Sequence, residues 1–237
     1  MEVHFPVNDK QIANEECGMS IAFLAPDGSG KSTVIQGITN TCADYFKKVS
    51  YFHFRPEWLR NLGQIHVSRR KQEPPKPLQP GEEPPRNATP HAVKKQGKLV
   101  SLIRFMYYNL DFVFGHFFKI MPLKRKHHLI VFDRYYYDYF GDMIRYRYDI
   151  SPQLVQFCSF FIPKPDIVFI LDADENVVYE RKKEVPIEEI ARQRKAYASL
   201  LDRNINAVMI NVDRNVEDII SEVTGYILDC RKHKIGG

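Results

Sequence analysis

The stretch "MSIAFLAPDGSGKST" (residues 19–33) constrains this chain more than any other. A mostly apolar run of strand length ends in a turn with two closely spaced glycines. A helix-forming stretch follows over 31–47, with Val34, Ile35, Ile38 and Phe46 as its apolar positions. The turn "APDGSGKST" (25–33) fits G-x-x-x-x-G-K-[ST], except that Ala25 stands where the first glycine belongs. Gly28 and Gly30 let the backbone aim its N–H groups inward around a phosphate, and the helix N-terminus adds the positive end of its dipole. Lys31 can then reach the β and γ oxygens of a nucleoside triphosphate, and the Ser32 hydroxyl can join a Mg²⁺ shell. Asp27, Gly28, Ser29, Gly30, Lys31, Ser32 and Thr33 form the candidate site for ATP and Mg²⁺.

Four further apolar runs, 49–54, 129–133, 167–174 and 207–213, read as strands, the last three each ending at an aspartate. Helical patterns over 92–121, 134–148, 152–161, 175–204 and 215–232 separate them. This alternation predicts an α/β fold: a five-stranded parallel sheet with helices on both faces. One domain spans 1–237, with an N-terminal extension over 1–18 and a proline-rich insertion over 60–98. Residues 71–90 alone hold seven of the 15 prolines.

Composition excludes several classes. No apolar run approaches the ~20 residues a membrane span needs, so no membrane partner is expected. The polar, acidic first residues do not resemble a signal peptide, which predicts a cytoplasmic protein. The net charge of +5 is modest, and "KRKHH" (124–128) is the one basic cluster, so no nucleic-acid partner is expected. Cys17, Cys42, Cys158 and Cys230 have neither metal-ligand nor redox spacing and read as free thiols.

"APDGSGKST", then "VFDRY" (131–135), then "RQRKAYASL" (192–200), resembles the thymidylate kinase branch of the P-loop nucleoside monophosphate kinases, over most of residues 19–230. The resemblance implies the P-loop NTPase fold and transfer of the γ-phosphate of Mg-ATP to a nucleoside monophosphate, with dTMP the default acceptor. It places Asp27 near the acceptor sugar, and Asp133 and Arg134 at the phosphotransfer site, with Asp133 beside the metal and Arg134 gripping the acceptor phosphate. It places Arg181 near the adenine and a lid over 182–194, where Arg192 and Arg194 stand just before Tyr197. Such kinases are commonly dimers, which implies a homodimer. Where the loop lacks an arginine, as at Gly28 here, the lid supplies the cation, making Lys182, Lys183, Arg192 and Arg194 candidates.

The chain also departs from that pattern. No arginine stands near Phe112, where thymidylate kinases read the thymine edge, and the R-E-P-G turn is replaced by "FHFRPEW", with Arg55 displaced. The Lys31-to-Asp133 separation of 102 residues exceeds the family norm. "FHFRP" and "DRYYYDYFGD…RYRY" resemble divergent thymidylate kinase-like proteins found beside bacterial surface-polysaccharide genes.

A phosphate acceptor needs cations, whereas a hydroxyl acceptor benefits from a carboxylate base. On a helix over 134–148, Arg134, Asp138, Asp142 and Arg145 would share one face within about 80°, with Tyr136 and Phe140 on the far side. Tyr135 and Tyr139 would flank the charged face and could stack on a base or sugar. Arg55, Arg134, Tyr135 and Asp138 are the candidate acceptor-binding residues. Asp138 would repel a phosphate unless it were neutralised, which opens a second reading: a kinase of the same fold acting on a hydroxyl of a sugar or other small molecule. A third is a nucleotide-binding regulatory protein without turnover.

Overall fold

The computed structural model describes residues 17–60, 97–183, 185–203 and 205–235. Nearly all of the expected N-terminal extension and proline-rich insertion falls outside these residues. The chain runs β1 (Met19–Leu24), α1 (Lys31–Cys42), β2 (Lys48–Phe52) and α2 (Lys98–Gly115). A π-helical turn (His116–Ile120) leads through α3 (Met121–Arg125) to β3 (His128–Phe132), then α4 (Asp138–Gly141) and a 3₁₀ turn (Ile144–Tyr146). The remainder is α5 (Pro152–Ser159), β4 (Ile167–Asp172), α6 (Glu175–Arg181), α7 (Ile187–Ala198), β5 (Ala207–Asn211) and α8 (Val216–Ile235).

The five strands are all parallel, in the order β2-β3-β1-β4-β5. All six residues of β1 are buried, as a central parallel strand covered on both faces requires. Alternate side chains feed two cores. Met19, Ile21, Phe23, Leu129, Val131, Phe169 and Leu171 pack with α1 and α8 on one face. Ala22, Leu24, Ile130, Phe132, Val168 and Ile170 meet α2, α5 and a group of tyrosines on the other. Fully burying one of the large side chains contributes about 1.5–3 kcal/mol, so both faces stabilise the sheet.

The chain leaves β1 towards β2 on one side, while β3 leads back across β1 to β4 on the other. Such a switch opens a crevice at the carboxyl ends of the strands. The loops after β1, β2 and β3 meet there. The three strand-end aspartates serve different purposes. Asp133 enters the crevice, Asp174 caps α6 by accepting from the Asn176 N–H at 2.9 Å, and Asp213 accepts from the Asp174 N–H at 2.7 Å.

The helix expected over 92–121 is present from Lys98 through its π-helical turn to Arg125, residues 92–96 lying outside the described ones. Two helix expectations need correction. The stretch 175–204 divides into α6 and α7. Most consequentially, 134–148 is not a continuous helix but the single turn α4 and a 3₁₀ turn. Tyr135, Tyr136, Tyr137 and Tyr139 are all buried. Consecutive residues on a helix point round most of its circumference, so the chain unwinds to bury them all. The Tyr135 hydroxyl donates to the Pro163 carbonyl at 2.6 Å, and the Tyr136 hydroxyl to that of Val155 at 2.9 Å.

α2 buries Phe105, Tyr108 and Phe112 and leaves Leu99, Ile103, Met106, Leu110 and Phe114 exposed. No helix among the described residues is long and apolar enough to cross a membrane.

Candidate active site

Gly28 and Gly30 both take positive φ, +96° and +78°, which L side chains rarely adopt. A Cβ on Gly28 would stand 3.1 Å from the Val178 carbonyl oxygen and 3.2 Å from the Lys182 Cβ, because the end of α6 presses on the loop. Gly30 faces open space and hands the chain directly to α1, whose first amides have no partner within the helix. The Ser29 hydroxyl is buried without a hydrogen-bond partner. With Arg181 and Lys182, the loop residues Asp27, Gly28, Gly30, Lys31, Ser32 and Thr33 bound a cavity of about 340 Å³.

Across the crevice, the Lys31 ammonium contacts Asp133 Oδ1. Asp133 Oδ2 accepts from the Tyr51 hydroxyl at 2.8 Å and lies 3.4 Å from His53 Nδ1. Burial pushes the Lys31 ammonium down to about 7, with the Arg134 guanidinium acting the same way and Asp138 and Asp27 opposing. The Asp133 contact favours the charged form, as an arriving phosphate would. Burial also lowers His53, which Arg134 and Lys31 lower further.

Ser32 and Asp133 line one cavity of about 300 Å³ with Tyr51 and Gln36. A hydroxyl and a carboxylate there suit Mg²⁺, which takes hard oxygen ligands and usually one or two carboxylates plus substrate phosphates. The described residues contain no cluster of three or more His, Cys, Asp or Glu able to hold a metal by themselves.

Beside this pair lies a lattice of charges. Arg134 Nη1 donates to both oxygens of Asp138 at 2.9 Å, and its Nη2 donates to Asp27 Oδ1. Arg145 is held in the same manner: Nε donates to Asp142 Oδ2 at 2.9 Å and Nη2 to Asp27 Oδ2. Lys182 Nζ stands 3.6 Å from that Asp27 oxygen. Burial pushes the Asp27 carboxyl up, but Arg134, Arg145 and Lys182 together bring it down to about 2. Asp138 is fully buried and also accepts from the Tyr146 and Tyr197 hydroxyls, each at 2.6 Å. Burial and the Asp138 charge hold both phenols well above their ordinary range, so they remain donors.

Several candidates therefore sit elsewhere than expected. Tyr135 is a core residue, as is Tyr139, so neither offers a stacking face. Asp138 turns away from the crevice to hold Arg134. Arg55 is buried against Asp111, with its guanidinium 4.5 Å from the centre of the Tyr108 ring. Asp111 also accepts from the backbone N–H groups of Glu57 and Leu59, so the pair fixes the turn after β2. Arg192 binds Glu189 and the Gly141 carbonyl. Arg194 binds Asp172 and Glu175, lining a different cavity with Met209. Lys183 pairs with Glu180. Of the four lid candidates, Lys182 is the one that reaches the loop cavity.

Arg145, which is not among the candidate acceptor-binding residues, joins the site through Asp27. Its signal was the shared arc of Arg134, Asp138, Asp142 and Arg145, which stays grouped although the helix does not form. No model of a known protein family matches the chain, and no curated protein is similar to it.

Proposed function

We propose that this chain is a Mg²⁺-ATP-dependent phosphotransferase of the P-loop kinase type, moving the γ-phosphate to a nucleoside monophosphate, with dTMP the default acceptor. One observation carries the proposal. Lys31, launched from a loop with two left-handed glycines, meets Asp133 at the ends of adjacent strands, and Arg134 stands next to it. On this reading, donors for a triphosphate, a carboxylate for a metal and a cation for the acceptor would surround one crevice.

The loop amides and Lys31 would hold the triphosphate, with Arg181 and Lys182 closing its cavity. Ser32 and Asp133 would hold magnesium, which supplies charge neutralisation on the phosphates. An oxygen of the acceptor phosphate forms the new bond to the γ-phosphorus, and the bond to the β–γ bridging oxygen breaks, releasing ADP. Lys31 and Lys182 would balance the negative charge of the transferring group, since such catalysis is mostly positioning and electrostatics. No general base is needed for an acceptor already ionised at neutral pH. A phosphate acceptor is favoured over a hydroxyl because Asp138, the carboxylate that would have served as base, is buried against Arg134 and two tyrosines. Use of cellular ATP accords with a cytoplasmic location.

Purified protein with Mg-ATP and a panel of nucleoside monophosphates should form ADP with at least one of them, and Lys31→Ala should abolish it. Absence of turnover with every member of the panel would overturn the proposal.

A further inference from the structure

Asp27 occupies a position that an anionic ligand would fill. Each of its oxygens accepts from a different guanidinium, Arg134 on one side and Arg145 on the other, with Lys182 nearby. Both arginines also have an anchor that faces away from Asp27. Arg134 Nη1 is bound to Asp138, which is fully buried, and Arg145 Nε to Asp142, which is 2% exposed. The Nη2 groups of both point to Asp27, whose side chain keeps 20% of its surface in solvent. The two guanidiniums thus stay fixed by buried carboxylates whether or not Asp27 lies between them.

We propose that Arg134 and Arg145 form a two-guanidinium clamp for the phosphomonoester group of the acceptor, and that Asp27 is the resident anion this phosphate displaces. The clamp deepens the kinase reading and rests on it for the acceptor's role. Its new element is Arg145, which it makes a specificity-determining residue for the acceptor phosphate beside Arg134. A phosphate group presents at least two oxygens to a pair of guanidinium edges, as the carboxylate does, and at neutral pH carries more charge. No bond is made or broken in the exchange. Asp27, whose side chain keeps 20% of its surface in solvent, turns outwards and keeps Lys182, 3.6 Å from its Oδ2, as its counter-ion.

Calorimetric titration of the full chain with inorganic phosphate, in a Lys31→Ala background to weaken the nucleotide loop, tests the clamp without catalysis. Arg145→Gln should weaken binding about tenfold or more, the loss expected for a charge-assisted contact. Asp27→Asn should tighten it by a similar factor, because the competing anion is gone. Arg145→Lys, which keeps the charge without the fork, should fall between the first variant and the parent. Phosphate binding that ignores Arg145→Gln and Arg145→Lys, or that is no tighter in Asp27→Asn, would overturn the clamp. The two readings fail separately. The expected phosphate responses in a protein that turns over no nucleotide would remove the kinase and keep the clamp. Turnover with an acceptor KM unmoved by Arg145→Gln would remove the clamp and keep the kinase.

Discussion

Asp27 and Asp138 both accept hydrogen bonds from the Arg134 guanidinium, yet Asp138 is fully buried and Asp27 keeps 20% of its side chain in water. Asp138 draws its donors from three segments, namely Arg134 after β3, Tyr146 in the 3₁₀ turn and Tyr197 on α7. Asp27 draws only cations, at the edge of a cavity. A buried carboxylate with all its acceptor sites engaged positions its neighbours, whereas one at a cavity mouth can be exchanged. The same residue type thus serves as scaffold in one place and as replaceable counter-ion in the other.

Asp138→Ala is the strongest way to break this comparison. It leaves the Arg134 guanidinium and two phenols without their buried partner, and should cost about 3–5 kcal/mol in urea unfolding. A loss no larger than that of Asp27→Asn would make the two carboxylates equivalent. Gly141→Ala should follow, at about 3 kcal/mol, because its Cβ would lie 2.2 Å from the Tyr197 ring and displace that phenol. Tyr197→Phe removes one charge-assisted hydrogen bond and should cost about 2 kcal/mol. Combined with Gly141→Ala its effect should be less than additive, since both act on the same contact. Unfolding curves of the two single variants and the double variant measure this directly.

The smallest effect concerns Asp27 and sharpens the comparison through pH. Its carboxyl titrates at about 2 in the folded chain against 3.8 ordinarily. Its stabilising contribution is therefore complete above about pH 4 and is lost as pH falls towards 2. The stability difference between wild type and Asp27→Asn, about 1–2 kcal/mol near neutrality, should shrink across that window. A difference that stays constant from pH 6 to pH 2 would contradict the folded-state charge on Asp27.

Local chemistry in the chain determined much of this protein. The apolar runs of β1, β3 and β4 became the central strands because buried parallel strands need continuous apolar residues, while β2 and β5, with one buried residue each, form the edges. Gly28 and Gly30 took positive φ at the anticipated turn because glycine has no Cβ to oppose it. Tertiary structure alone decided the fate of 134–148, where helical periodicity yielded to burial of four tyrosines. It also decided the orientation of every charged side chain near the crevice. Arg55, Arg192 and Arg194 found carboxylates away from the phosphate loop, while Arg145 found Asp27, 118 residues earlier in the chain. Residue spacing reports which groups share a local face, but which charge neutralises which depends on long-range packing that brings separate loops to one end of the sheet.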